Sequence, residues 1–323
     1  MEHPMNLHQN KNSFAAAIQT TSDKLNILPV FVEKDYWITL VLKRLAESKY
    51  NESVVFKGGT SLSKGFKLID RFSEDIDIAI INPAGRPGNQ IKTLIREIEK
   101  KVSIDLNEIT DSTVSSKGSR FRKSVYSYET ITDKRFYQGT TAQLIIEINS
   151  FANPVPFESK RIESLISTVL YMNNQPDLIS RFDLSPFSIK VLTKNQTLVE
   201  KMVSLFRSSF EADTVTGLNG KIRHFYDLHF LLLDEEVRVF VDSMEFLQNF
   251  NEVWSHDQKA FDEPEDWCGK SAIKSPLYFQ WPALWEDLAG NYQKELSALA
   301  FSKIPESTII LDSMTYLLRK LTL

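Results

Sequence analysis

Hydrophobic and polar positions along the chain fall into two regimes. Up to about residue 195, short runs with a period of two alternate with runs of helical spacing, the pattern of a mixed α/β unit. Residues 14–47 read as two helices. In the second, VFVEKDYWITLVLKRLAE, Val32, Tyr36, Leu40 and Leu45 form one stripe, with Phe31, Trp37 and Val41 beside it. This is expected to be a helix covering the following sheet, with Lys34 or Asp35 reaching a cleft as the sharper alternative. Residues 53–57 read as a strand that ends in a glycine turn and a short helix, and residues 75–81 as the next strand. After a Pro/Gly loop, Gln90–Val102 carries Ile91, Leu94, Ile95 and Ile98 at helical spacing. Strands are expected near Phe121–Tyr128, just before Thr140, and over Thr141–Asn149, where Leu144, Ile146 and Ile148 share a face. Lys160–Tyr171 reads as helix and Phe187–Leu192 as strand. Beyond that the period is helical. Leu198, Met202, Leu205 and Phe206 form a stripe over Gln196–Phe210, Lys221–Leu233 continues as helix, and the remainder is mostly helical. The expected organisation is an α/β (α+β) domain over 1–195, a mixed sheet flanked by helices, and a helical domain over 196–323.

Composition narrows the class without naming it. The 323 residues carry a net charge of −4, so any nucleic-acid contact has to be a local patch. Such a patch is expected where Lys117, Arg120, Arg122, Lys123, Lys134 and Arg135 interleave with Ser, Thr, Tyr and Phe, although a solvated strand pair accounts for it nearly as well. The single cysteine, Cys268, excludes an intrachain disulfide. No apolar run is long enough to span a membrane, and the first residues lack the apolar core of a signal peptide, so a cytoplasmic protein is expected. The five histidines are scattered, and none pairs with cysteine at zinc spacing.

The candidate chemistry sits in SVVFKGGTSLSKGFKLIDRFSEDIDIAII, residues 53–81. Gly58 and Gly59 between strand and helix let backbone approach a ligand, and a helix start suits phosphate. This is neither a Walker A loop nor GxGxxG, and taken alone an ordinary tight turn explains it better. Asp75 and Asp77 are more telling. They share one face of a strand whose other positions, Ile76, Ile78, Ala79, Ile80 and Ile81, look buried. Two carboxylates there repel each other, and a divalent cation relieves the repulsion. Glu147 is a third acid in an otherwise apolar strand, with a surface ion pair as its alternative. Three carboxylates on neighbouring strands are what metal-assisted nucleotidyl transfer requires.

GGTSLSKGF followed by RFSEDIDI resembles the nucleotidyltransferase signature of the DNA polymerase β-like superfamily, and in particular the AbiEii/AbiGii toxin family of bacterial toxin–antitoxin and phage-abortive-infection systems. VEKDYW at 32–37, EKMVSLFR at 200–207 and RHFYDL at 223–228 are similar to further motifs of that family. The resemblance implies transfer of a nucleoside monophosphate from an NTP (ATP, GTP or CTP) to an acceptor, probable candidates being RNA and the 3′ end of tRNA, with Mg²⁺ or Mn²⁺ and a cognate antitoxin as partner. It implies metal binding by Asp75, Asp77 and Glu147. It implies catalytic roles for Asp75, Asp77, Lys201 and Asp227, and nucleotide binding by Lys57, Gly58, Gly59, Thr60, Ser61, Lys64, Ser73, Lys201 and Arg223. The residues themselves support Lys201, which shares a face with Leu198 and Leu205; a helix-surface role is the alternative for Asp227, and His224 stays unassigned. Two other readings remain open: a binding protein that keeps the fold without catalysis, and an enzyme that modifies a protein such as the antitoxin.

Overall fold

In the computed structural model, residues 5–73, 75–81, 85–110, 113–133 and 141–322 are described. The chain forms two compact units. One comprises residues up to Lys67 together with Phe72–Leu192; the other comprises Leu68–Arg71 and Thr193–Leu323.

The first unit is a mixed sheet. Its strands among the described residues are β1 (Val54–Lys57), β2 (Asp75–Ile80), β3 (Asn107–Glu108), β4 (Ser116–Lys117), β5 (Phe121–Ser127), β6 (Gln143–Asn149), β7 (Phe157–Ile162) and β8 (Phe187–Leu192). They lie in the order β3-β5-β6-β2-β1-β8-β7, with β4 paired to β5. β2 runs parallel to β6 and antiparallel to β1. Helices α1 (Lys11–Leu25), α2 (Pro29–Ala46), α3 (Gly58–Lys64), α4 (Gly88–Val102), α5 (Leu165–Met172) and α6 (Pro176–Arg181) complete this unit.

Alternation along the strands divides the sheet into unlike faces. Val54 and Phe56 of β1, Ile76, Ile78 and Ile80 of β2 and Leu144, Ile146 and Ile148 of β6 join one apolar core with α2 and with Ile91, Ile95 and Ile98 of α4. The opposite face presents Lys57, Asp75, Asp77, Lys123 and Glu147. Helix α2 is buried nearly all round, so even its polar side chains have internal partners. Glu33 accepts hydrogen bonds from Thr130 Oγ1, Ile131 N and Thr132 N at 2.7, 2.8 and 3.2 Å. Asp35 accepts from Lys64 Nζ and Leu165 N at 2.6 and 2.7 Å.

One expectation changes here. Lys160–Tyr171 is not one helix: Phe157–Ile162 pairs along its length with β8, and α5 starts only after Ser164, whose hydroxyl accepts from Ser167 N. Glu158, Lys160 and Arg161 hid this strand, because an edge strand tolerates charge that a buried one would not. The strand expected just before Thr140, and with it Lys134 and Arg135, lies outside the described residues.

The second unit is helical: α7 (Lys194–Ser208), α8 (Thr214–Asn219), α9 (Ile222–Leu233), α10 (Glu235–Val241), α11 (Met244–Ala260), α12 (Pro276–Phe279), α13 (Ala283–Leu299) and α14 (Ser307–Arg319). Leu198, Met202, Leu205 and Phe206 of α7 are fully buried, as their stripe predicts. Aromatic side chains from the C-terminal third fill the space around α7 and α9. Phe206 meets Phe250 and Trp254 edge-on at 5.6 and 6.0 Å, and Phe225 stacks on Trp281 at 5.8 Å. Residues 68–71 join this unit through a backbone bridge between Arg71 and Ala300 and a hydrogen bond from Phe301 N to Asp70 O at 3.0 Å. Among the described residues, no helix is long and apolar enough to cross a membrane.

Candidate active site

Register assembles the acidic face. Asp77 on β2 is paired with Glu147 on β6, Lys57 on β1 is paired with Asp77, and Lys123 on β5 is paired with Glu147. Directly paired positions project to the same side, so these four charges form one row, with Asp75 two residues along β2 on the same face. Asp75 and Asp77 are partly buried.

The glycine turn closes against this row. Gly58 has φ +79°, and a Cβ at that position would lie 1.9 Å from Asp77 Oδ2. Glycine is therefore required twice over, by the left-handed backbone and by the nearness of the carboxylate. Thr60 and Ser61 are buried and donate their hydroxyl hydrogens to the carbonyls of Asp75 and Gly58. Thr60 thus ties α3 to β2, while the Ser61 bond stays within α3. Lys64, at the far end of α3, spans to Asp35 Oδ1 and to the carbonyl of Glu163, each at 2.6 Å. That pairing makes Lys64 and Asp35 a buried anchor of α3, which accounts for both without a nucleotide. Ser73 is buried, 7% exposed, just ahead of β2.

Glu147 differs from the two aspartates. Lys123 Nζ stands 2.5 Å from its Oε1. Burial works against the Lys123 charge, but the carboxylates of Glu147, Asp75 and Asp77 outweigh it and raise the ammonium above its ordinary value. Among the described residues no group of three or more His, Cys, Asp or Glu side chains is arranged to hold a metal ion. The third acid of the expected set, Glu147, thus has a lysine partner, while Asp75 and Asp77 share its face.

A second constellation lies within the helical unit. Asp227 on α9 is fully buried. Arg71 grips it with Nε to Oδ1 at 2.7 Å and a terminal nitrogen to Oδ2 at 2.6 Å, and Lys201 Nζ reaches Oδ2 at 2.8 Å. Burial alone would raise this carboxyl, but Arg71 and Lys201 outweigh it and hold it below the usual carboxylate range. The helix-surface alternative for Asp227 is excluded by its burial. His224, one turn earlier, is held well below an ordinary histidine, first by burial and then by Lys201, Lys221, Arg71 and Arg223. It is a neutral ring in a cationic setting, with a buried Nδ1 that has no hydrogen-bond partner. Arg223 itself lies 3.2 Å from Glu295.

A family model described as nucleotidyl transferase AbiEii toxin, type IV toxin–antitoxin system, matches residues 40–307. The chain belongs to the AbiEii family. It is accordingly a nucleotidyltransferase, a toxin of the type IV toxin–antitoxin class. Among solved structures, MenT4, a nucleotidyltransferase toxin from Mycobacterium tuberculosis H37Rv, superimposes with TM-score 0.51 at 13% identity, covering 88% of this chain and 85% of that one. JHP933 from Helicobacter pylori covers 90% of this chain and 91% of its own, with TM-score 0.46 and 16% identity. No curated protein matches the chain by sequence.

Nucleotidyltransferases of this kind typically use a divalent metal, and the AbiEii acidic face fits one. The donors are hard carboxylate oxygens, and Lys123 already shows that the face accepts a cation.

Three residues of the expected basic patch have acidic partners in the AbiEii chain. Lys117 pairs with Glu108 at 2.6 Å, Lys123 with Glu147 on the acidic face, and Arg122 with buried Glu99 on the opposite face. Neighbours in a strand point to opposite sides, so Arg122 and Lys123 cannot line one surface. Arg120 is exposed just before β5. Two residues with roles escaped the sequence reading. Arg71 had a signal in its place within RFSEDIDI, but its partner is 156 positions away. The link of Lys123 to the acids had no signal, because register is not written in the chain.

Proposed function

We propose that the protein transfers a nucleoside monophosphate from an NTP to the 3′ hydroxyl of an RNA, with tRNA as the expected acceptor. In this reaction the acceptor oxygen forms a bond to the α-phosphorus, the bond from that phosphorus to the bridging β-phosphate oxygen breaks, pyrophosphate leaves, and the hydroxyl proton is lost to solvent. The observation that carries the reading is the placement of Asp75 and Asp77 on one sheet face, with the backbone of Gly58 so close that a Cβ there would lie 1.9 Å from Asp77 Oδ2. Asp75 and Asp77 would hold Mg²⁺, which supplies charge neutralisation for the phosphates. The backbone at Gly58–Gly59 approaches the phosphates closely. Lys201 contributes positive charge beside Asp227, both of whose oxygens Arg71 also grips. Asp227 then acts as a positioning residue for Lys201, and Arg223 adds to the same positive field. A cytoplasmic site of action and a cognate antitoxin follow from the toxin class.

The test is incubation with labelled NTPs, Mg²⁺ and total RNA, comparing wild type with Asp75→Ala/Asp77→Ala on RNA and protein gels in parallel. Label in RNA from wild type alone is the expected result. Equal labelling by both proteins removes the mechanism, and label confined to a protein band moves the acceptor from RNA to protein.

A further inference from the structure

The row Lys57, Asp77, Glu147, Lys123 runs across four adjacent strands, β1, β2, β6 and β5, with the lysines on the outside. Paired positions on neighbouring strands lie roughly 5 Å apart. Two carboxylates at that spacing repel strongly in a partly buried setting, and Asp75 adds a third negative charge to the face. Lys57 and Lys123 flank the two acids in the row. The ion pair at Glu147 is not a loosely solvated one: Nζ and Oε1 are 2.5 Å apart, and the two side chains are 25% and 20% exposed. Its cation sits on the one acid that Asp77 would otherwise share a second metal with.

We propose that Lys123 limits the acidic face to one divalent cation by occupying Glu147. The inference rests on the nucleotidyltransferase reading of Asp75 and Asp77, and it gives Lys123 a charge-setting role within the active site in place of an RNA contact. Glu147 on this view is the seat of an internal cation, not a metal ligand.

The test counts bound Mn²⁺ on the full chain by electron paramagnetic resonance, with no nucleotide added. Wild type should saturate at one ion per chain. Lys123→Met keeps the aliphatic stem and removes the charge. It should bind two ions, the first about tenfold more tightly, since one unit of positive charge has left the neighbourhood. Lys123→Met/Glu147→Gln should return to one ion, and this double variant separates the charge effect from misfolding, because both proteins lose the same lysine. Two ions on wild type, or one ion on Lys123→Met, overturns the role of Lys123. A wild-type protein that binds no Mn²⁺, or an Asp75→Asn/Asp77→Asn variant that keeps its ion, overturns instead the reading of the two aspartates on which the inference stands.

Discussion

The acidic face of the sheet and the cluster around Asp227 set carboxylates beside cations to opposite ends. On the sheet, Asp75 and Asp77 stand on a partly buried face, with the backbone of Gly58 packed against Asp77. In the helical unit, Asp227 is fully buried, and both its oxygens are taken by Arg71 and Lys201. Desolvation makes the second arrangement costly to disturb, because any unpaired member would be a buried charge. Partial exposure makes the first cheap to disturb in stability and expensive in function. The difference teaches that a carboxylate is read by what surrounds it: partial exposure marks a candidate site, and full burial between two cations marks an anchor.

Removing the sheet carboxylates should give the largest effect. Asp75→Asn/Asp77→Asn is expected to lower nucleotidyl transfer by at least about 10³-fold while leaving the thermal midpoint unchanged or slightly higher, since a repulsion is relieved. Steady-state transfer and a melting curve on the same preparation check both halves. The opposite profile is expected at the anchor. Asp227→Ala should cost about 3–5 kcal/mol by leaving Arg71 and Lys201 buried without their carboxylate, measurable by urea unfolding. A fully stable Asp227→Ala protein with transfer abolished would erase the contrast and place Asp227 among the reacting groups.

Gly58→Ala tests the close approach of the turn to Asp77. It forces a side chain into a left-handed backbone, at about 1–2 kcal/mol, and against Oδ2 of Asp77. Loss of transfer should exceed loss of stability, and the variant should bind Mn²⁺ more weakly than wild type.

The pH dependence sharpens the anchor side. His224 is depressed in the folded protein, so its stabilising contribution is present above the ordinary histidine pKa near 6.5 and is lost as pH falls below it, where only the unfolded chain takes up the proton. The expected slope is about 1 kcal/mol per pH unit between pH 6.5 and 5. His8 and His229 are lowered as well and act in the same direction. His224→Gln should flatten the curve in part; an unchanged curve would assign it to the other two. The depressed Asp227 carboxyl works in the same sense lower down, its contribution being complete above about pH 4 and lost as pH falls further.

The smallest effect is expected at the basic stretch. Lys117→Ala and Arg122→Ala remove charges that already have acidic partners, so RNA affinity should move by less than about threefold with an unchanged salt slope. A steep loss of salt dependence would restore the patch as an RNA surface.

Much of this was legible in the chain. The alternation over Asp75–Ile80 and Gln143–Asn149 told which positions face the core, because strand geometry forces period two and burial selects apolar residues. The stripe on α7 placed Lys201 among buried neighbours, and it is 5% exposed. The glycine turn and its distance to the two aspartates carried the family resemblance, which the family match bears out. The charged edge strand β7 was not legible, since its sequence satisfies solvent as well as a ladder.

The sequence by itself determined the local elements, the family and the pair of aspartates, all of which depend on spacings within a few dozen residues. Only the tertiary structure decided the partners. Strand register put Lys123 on Glu147 and separated it from Arg122, and folding brought Arg71 to Asp227. Those pairings join residues far apart in the chain, and periodicity carries no information about which distant charge will neutralise which.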